Sequence, residues 1–141
     1  MNEIDLLSHV YQTAEMGQDG IRSVIGRSKS PELTRALDRQ LGEYRQIQQS
    51  AGDMLQARGV QPDGVGAMAK LSSEVMSTMK TMMDRSATKI AEMMIQGSTM
   101  GVTKSLRTIR DCELKDERVR DLADKLLKTE QANIEEMKQF L

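Results

Sequence analysis

Hydrophobic side chains recur at every third or fourth residue along most of this chain, which is the period of a helix that buries one face. In the first segment, the repeat consists of Ile4, Leu7, Tyr11, Ala14, Gln18, Ile21 and Ile25. Asn2 can cap the start of this helix, because an asparagine side chain can accept a hydrogen bond from the first turn. We predict a helix from about residue 3 to residue 27.

The second helix has a clearer start signal. Ser30 supplies a capping hydroxyl, Pro31 suits the first helical position, and Glu32 places an acid in the first turn. The hydrophobic stripe that follows consists of Leu37, Leu41, Tyr44, Gln48, Ala51 and Leu55. Gly59 is typical of a helix end, so we predict a helix over 31–58.

A helical pattern then runs from Ala67 to about Arg110, which is too long for a single helix of matching length. Its hydrophobic face drifts, and we predict a break near Asp84, which could cap a new helix. The sequence therefore predicts a crossover over 59–83 and a third bundle helix over 84–111. A short turn around 112–116 precedes a fourth helix, predicted over 116–140.

The lengths of the connections predict the topology. Short joints between helices 1 and 2 and between helices 3 and 4 favour antiparallel hairpins. The 59–83 segment is far longer than a hairpin needs, and two hairpins joined by one long crossover are typical of ferritin-like bundles. We expect an all-α, antiparallel four-helix bundle forming a single domain over residues 1–141.

Composition narrows the function classes. Twenty basic and 21 acidic residues give a net charge of -1 without any charge block, so the sequence indicates neither a nucleic-acid surface nor a membrane anchor. Cys112 is the only cysteine and cannot form an internal disulfide, which fits a reducing compartment. No apolar run approaches the length of about 20 residues that a membrane span needs. We expect a cytoplasmic protein.

Polar residues in the helical seams are the candidates for chemistry. Ferritin-like di-iron proteins use glutamates and Glu-x-x-His pairs that point into the bundle. The inward polar residues predicted here are Glu15 and Gln18, Glu43 and Gln46, Ser98, and Glu130 and Asn133. His9 is the sole histidine, so both Glu-x-x pairs lack their imidazole. We interpret these residues as a hydrogen-bonded polar layer; the alternative is an iron or manganese site formed by Glu15, Glu43 and Glu130.

The segment over 16–62 is similar to a bacterial ferritin-like family of unknown function. The resemblance rests on Met16-Gly17, Gly20, Pro31-Glu32-Leu33 and Gly59-Val60-Gln61-Pro62, and later on Gln96-Gly97-Ser98. Met16 and Ser98 stand where that family has acids. The resemblance implies a four-helix, ferritin-like bundle and no established activity.

A methionine-rich stripe in the crossover predicts association. It consists of Leu71, Val75, Met76, Met79, Met82 and Met83. Such thioethers could bind Cu(I), but methionine more often fills a flexible apolar contact. We expect a homodimer with Met76 and Met79 near its interface.

These observations favour a protein without catalytic residues. We expect a non-enzymatic bundle without a cofactor that acts through contact with a protein partner, in stress response or in a surface or spore layer. The alternative is a metal-binding protein or oxidase that uses Glu15, Glu43 and Glu130. Elemental analysis separates the two.

Overall fold

The computed structural model describes residues 2–62 and 86–141. Within these residues the chain forms four α-helices and no strand, which confirms the all-α prediction. They are α1 (Glu3–Ile25), α2 (Pro31–Ala57), α3 (Ala87–Asp111) and α4 (Glu117–Met137), and a short 3-10 turn (Lys138–Phe140) follows α4.

The caps of the first two helices follow the sequence signals. The Asn2 side chain accepts from the backbone N–H of Asp5 at 2.9 Å, and the Asp5 carboxylate accepts in return from the Asn2 N–H at 3.1 Å. This reciprocal pair satisfies two donors that a helix start leaves free. The Ser30 hydroxyl accepts from the N–H of Leu33 at 3.2 Å. Beyond α2, Gly59 has φ of +73°, which favours glycine.

Several helix ends differ from the predicted ones. Helix α1 ends at Ile25 rather than residue 27, because the N–H groups of Arg27 and Ser28 bond to carbonyls only three residues back, in a tighter turn. Helix α3 begins at Ala87, since the Ser86 hydroxyl caps it by accepting from the N–H of Lys89. Asp84, the predicted cap, lies outside the described residues.

The last helix is also shorter than predicted. Helix α4 begins at Glu117, with Asp116 as its cap, and gives way to the 3-10 turn after Met137. Most of the predicted 59–83 crossover, including Met76 and Met79, lies outside the described residues.

The four helices share one hydrophobic core. The most extensive contacts join α1 with α2 and α3 with α4, while α1 also touches α3 and α4. The largest fully buried side chains in this core are Leu6, Leu7, Ile21, Leu33, Leu37, Ile47, Leu55, Ile90, Leu126 and Met137. Each helix contributes at least one of them, so the described helices form a bundle around a continuous interior.

Polar contacts fix which helix ends lie together. The Glu3 carboxylate accepts from the N–H of Asp116 at 2.8 Å, and the Arg58 guanidinium donates to the Asp116 carboxylate at 2.9 Å. The start of α1, the end of α2 and the start of α4 therefore meet. The Thr88 hydroxyl donates to the carbonyl of Phe140 at 3.3 Å, which places the start of α3 beside the C-terminal residues.

Among the described helices, none combines the length and the apolar character needed to cross a lipid bilayer.

Candidate functional site

A layer of polar side chains lies in the middle of the bundle. It consists of Tyr44 from α2, Ser98 from α3, and Glu130 and Asn133 from α4, and we call these four residues the polar layer. None exposes more than 7% of its surface. Glu130 and Asn133 are three residues apart, so both lie on the same face of α4.

Two glycines in neighbouring helices make room for the polar layer. A Cβ atom built at Gly17 of α1 would lie 2.7–2.8 Å from the ring of Tyr44. A Cβ atom built at Gly101 of α3 would lie 2.7 Å from the Cδ atom of Glu130. Both distances are shorter than any real contact of that kind, so both glycines are needed for the observed positions of Tyr44 and Glu130. A glycine inside a helix costs about 1 kcal/mol relative to alanine. Alanine does not fit at these two positions, because the Tyr44 ring and the Glu130 carboxyl occupy the space that its methyl group would need.

The Tyr44 hydroxyl is the centre of the layer. Burial raises its pKa above the usual range, and the Glu130 carboxyl raises it further, whereas the side chains of Asn133 and Ser98 act in the opposite direction. The phenol is therefore neutral at physiological pH, and it can both donate and accept a hydrogen bond.

Glu130 is a buried acid, and within the described part of the chain it forms no ion pair. Burial raises its pKa to about 8, because the charged form loses its hydration inside the bundle. The carboxyl group is therefore mostly protonated at pH 7. Its Oε1 atom and the Nδ2 atom of Asn133 are both buried, and neither has a hydrogen-bond partner among residues 2–62 and 86–141. Orphan polar atoms of this kind are rare in native structures and call for a physical explanation.

Other buried amides in the bundle have partners. The Gln18 side chain donates to the side-chain oxygen of Gln48 and to the carbonyl of Ala14. The Gln40 amide donates to the Glu136 carboxylate at 2.8 Å, and that carboxylate also pairs with Arg39. These contacts link α1 to α2 and α2 to α4, and they contrast with the unpartnered atoms of Glu130 and Asn133.

A second polar group surrounds the only histidine. The His9 Nε2 atom lies 3.2 Å from the Ser105 hydroxyl and 3.5 Å from the Thr13 hydroxyl. Burial lowers the pKa of His9, and the positive charge of Lys104 lowers it further. Ser105 is only 1% exposed, so a substrate cannot reach this Ser–His pair. We interpret it as a structural link between α1 and α3.

The predicted inward residues divide into two groups. Ser98, Glu130 and Asn133 face the interior, as the sequence predicts. Gln46, by contrast, is exposed, so its predicted inward position is wrong. The Glu43 side chain is 40% exposed and lies 3.9 Å from Arg39. The inward positions of this stretch belong to Gln40, Tyr44 and Ile47. Tyr44 is part of the predicted hydrophobic stripe of α2, whereas Glu43 and Gln46 lie away from the buried face.

Glu15 is half-buried and shares no partner with the polar layer. Burial raises its pKa, and the nearby Asp19 adds to the effect. Its Oε2 atom has no hydrogen-bond partner in the protein. Within 2–62 and 86–141, no three or more His, Cys, Asp or Glu side chains form a group that could hold a metal ion. Glu15, Glu43 and Glu130 are therefore not brought together as one such group.

The sequence pattern missed two residues that matter here, Gly17 and Gln40, and it placed Tyr44 on the hydrophobic stripe of α2 without assigning it to a polar layer. Gln40 was hidden because a glutamine fits a surface position of a helix equally well. The glycines did carry a signal, since an interior helical glycine without a turn often marks a close approach. The sequence does not say which side chain makes that approach.

A shallow surface groove lies between α2 and α4. Its volume is about 590 Å³, and it is lined by Glu43, Asp121, Asp124, Lys125, Lys128 and three uncharged residues. Charges of both signs alternate along it. The groove therefore favours no single class of charged ligand.

Fold and site together define an all-α bundle with a buried polar layer. No protein-family model matches the sequence, and no curated protein matches it. The chain is similar in structure to the crystal structure of a DUF305 fragment from Deinococcus radiodurans, with a TM-score of 0.79 over 97% of this chain and 93% of that chain. The two sequences are 16% identical, so this likeness shows the fold alone.

Proposed function

We propose that this chain is a non-enzymatic, ferritin-like helical bundle that acts through protein–protein contact, first of all with a second copy of itself. The observation that carries this proposal is an uncharged, exposed face on α3. The run over 93–103 has no charged residue, whereas 29% of the whole chain is charged. A surface without charge loses little hydration when a partner covers it.

Two large apolar side chains are exposed on this face. Met100 is 41% exposed and Leu106, just beyond the run, is 50% exposed. The Thr99 and Thr103 hydroxyls donate to carbonyls four residues back, at 2.7 and 3.0 Å, so much of their bonding capacity is used within the helix. A Cβ atom at Gly97 would meet nothing within 4 Å, so a partner helix could approach closely here. We call Gly97, Thr99, Met100, Thr103 and Leu106 the α3 face.

A second copy suits the α3 face because two-fold pairing places the same surface on both sides. The uncharged run over 93–103 creates no repulsion against itself, whereas the charged faces of α2 and α4 would need matched opposite charges. The earlier interface prediction, Met76 and Met79, stays a prediction. The two surfaces are rival candidates, and one experiment distinguishes them.

The experiment is light scattering coupled to size exclusion on four proteins. We expect the native chain to be a dimer and Met100→Glu to be a folded monomer, since it places a charge on each side of the contact. Gln46→Glu is the matched control, because it adds the same charge to an exposed position of α2 and should remain a dimer. If Met100→Glu remains a dimer and Met76→Glu/Met79→Glu is a monomer, the interface lies at the crossover and not on the α3 face. A native monomer at high concentration would remove the dimer proposal.

The ferritin-like topology is part of this proposal. The contacts of Glu3 and Arg58 with Asp116, and of Thr88 with Phe140, support α1 and α4 running one way and α2 and α3 the other. In that arrangement the chain leaves α2 at one end of the bundle and enters α3 at the other. A long crossover between two antiparallel hairpins follows from that order. A role in stress response or in a spore layer, and a cytoplasmic location, stay predictions.

Metal binding is the second candidate function, and Glu130 is the observation that favours it. A buried carboxyl without a cationic partner could be neutralised by a metal ion as well as by a proton. Elemental analysis of protein purified without added metal tests this candidate. Iron or manganese at one ion per chain in the native protein, and its loss in Glu130→Gln, would support it. We expect neither: Glu130→Gln should keep the fold and leave the metal content unchanged.

A further inference from the structure

We propose that the polar layer is a buried binding site for one water molecule, which bridges the Oε1 atom of Glu130 and the Nδ2 atom of Asn133. This inference is independent of the proposed protein–protein contact. It starts from the two unpartnered atoms, which lie on one face of α4 and belong to side chains that are each 3% exposed.

Hydrogen-bond chemistry selects the occupant. The Nδ2 atom of Asn133 is a donor and needs an acceptor, while an unprotonated oxygen of Glu130 is an acceptor and needs a donor. A water molecule supplies both and typically makes about three hydrogen bonds when buried. The Tyr44 and Ser98 hydroxyls, in the same layer, can each donate or accept and so complete its shell.

The glycines bring the polar groups together at this level. Gly101 lets the Glu130 carboxyl lie against the backbone of α3, and Gly17 lets the Tyr44 ring lie against the backbone of α1. Polar groups from α2, α3 and α4 therefore lie together, next to the glycine of α1 and the glycine of α3. A bridging water would connect three helices through a single molecule.

A metal ion fits the same groups less well. Hard cations bind several oxygen ligands and usually more than one carboxylate, whereas Glu130 is the only acid of the layer. The donor nitrogen of Asn133 would face the cation unless its amide were turned over. A neutral molecule that both donates and accepts satisfies the layer as it stands.

Magnetic relaxation dispersion of ¹⁷O-labelled water tests the proposal, because it detects internal waters that exchange slowly with the solvent. We expect the native full-length chain to show a dispersion, and Glu130→Met to lose the amplitude of one water. Gln40→Met is the matched control: Gln40 is also a buried amide, but its side chain already bonds to Glu136, so this variant should keep the amplitude. A water molecule bound at Glu15 would contribute equally to both variants, so it does not affect the difference in amplitude between them.

Three outcomes would overturn the proposal. The first is a native protein without a dispersion, and the second is a Glu130→Met variant that keeps the full amplitude. In the third, a chelator abolishes the signal, and the occupant is then a metal ion. Should Glu130→Met not fold, Asn133→Leu removes the other bridging atom and should lose the same amplitude. A native crystal structure at high resolution gives an independent check, since a water should appear within 3.2 Å of both atoms.

Discussion

Gly101 of α3 lies directly against the carboxyl group of Glu130 from α4, so close that a Cβ atom at residue 101 would be 2.7 Å from the Glu130 Cδ atom. One residue without a side chain therefore decides where the buried acid lies. Gly97, one turn earlier on the same helix, faces open space instead. The two glycines of α3 have opposite roles.

Substitution by alanine should therefore have opposite effects at these two positions. Gly101→Ala must displace a carboxyl that is buried among packed side chains, and we expect it to lower the free energy of unfolding by about 1–3 kcal/mol. Gly97→Ala meets nothing and gains helix propensity, so it should raise that free energy by up to about 1 kcal/mol. Urea denaturation followed by circular dichroism measures both. Equal effects of the two substitutions would show that Glu130 does not lie against residue 101.

The same argument applies to Gly17 of α1. Gly17→Ala should be destabilising by about 1–3 kcal/mol because the Tyr44 ring occupies the space of the new methyl group. Gly20→Ala is the matched control, since a Cβ atom there meets nothing within 4 Å. Combining Gly17→Ala with Tyr44→Leu should recover part of the loss. If the double variant recovers no stability, the loss caused by Gly17→Ala does not come from a clash with the Tyr44 ring.

The buried acid should make the bundle less stable in alkaline solution. The pKa of Glu130 is about 8 in the folded chain, against an ordinary value of 4.5 for a glutamate side chain. The folded state therefore binds more protons between these values, and the free energy of unfolding should fall as the pH rises from about 4.5 through 8. We expect Glu130→Gln to flatten this part of the profile, measured by denaturation at several pH values. Glu43→Gln, which changes a half-exposed carboxylate of α2, should leave the slope in place.

At the acid end, Asp116 should contribute to the loss of stability. Hydrogen bonds from Arg118, with a further one from Arg58, lower its pKa to about 2 from an ordinary value of 3.8. Its contribution is therefore present above pH 3.8 and is lost as the pH falls through 2. Asp116→Asn keeps a capping oxygen but removes the charge, so its stability should change less over this range. A native profile identical to that of the variant would contradict the role of Asp116.

The proposed crossover can be measured as a distance. Helix α3 has 25 residues, which corresponds to about 37 Å at a rise of about 1.5 Å per residue. Spin labels at Val60→Cys and Thr88→Cys, in a Cys112→Ser background, should therefore be roughly one helix length apart. Labels at Thr88→Cys and Gln139→Cys should be close together, because the Thr88 hydroxyl bonds to the carbonyl of Phe140. A short distance in the first pair would indicate an up-down-up-down order instead.

The sequence by itself determined the helices. Period and capping chemistry are local, so Asn2, Ser30 with Pro31, and Gly59 have the predicted roles in the structure. Local signals also found the inward Ser98, Glu130 and Asn133. They did not select Ser86, which caps α3 in the structure, because several residue types are good caps and position alone does not choose among them.

Only the tertiary structure decided what the polar residues do. Packing of α2 against α1 and α4 buries Gln40 beside the predicted stripe, while Gln46 faces the solvent. Whether Glu130 has a partner depends on residues more than 25 positions away, Gly101 on α3 and Tyr44 on α2. Burial then raises the pKa of Glu130, and burial is a property of the assembled bundle. A helical pattern specifies which face is inward, but the contacts across that face exist only once four helices have met.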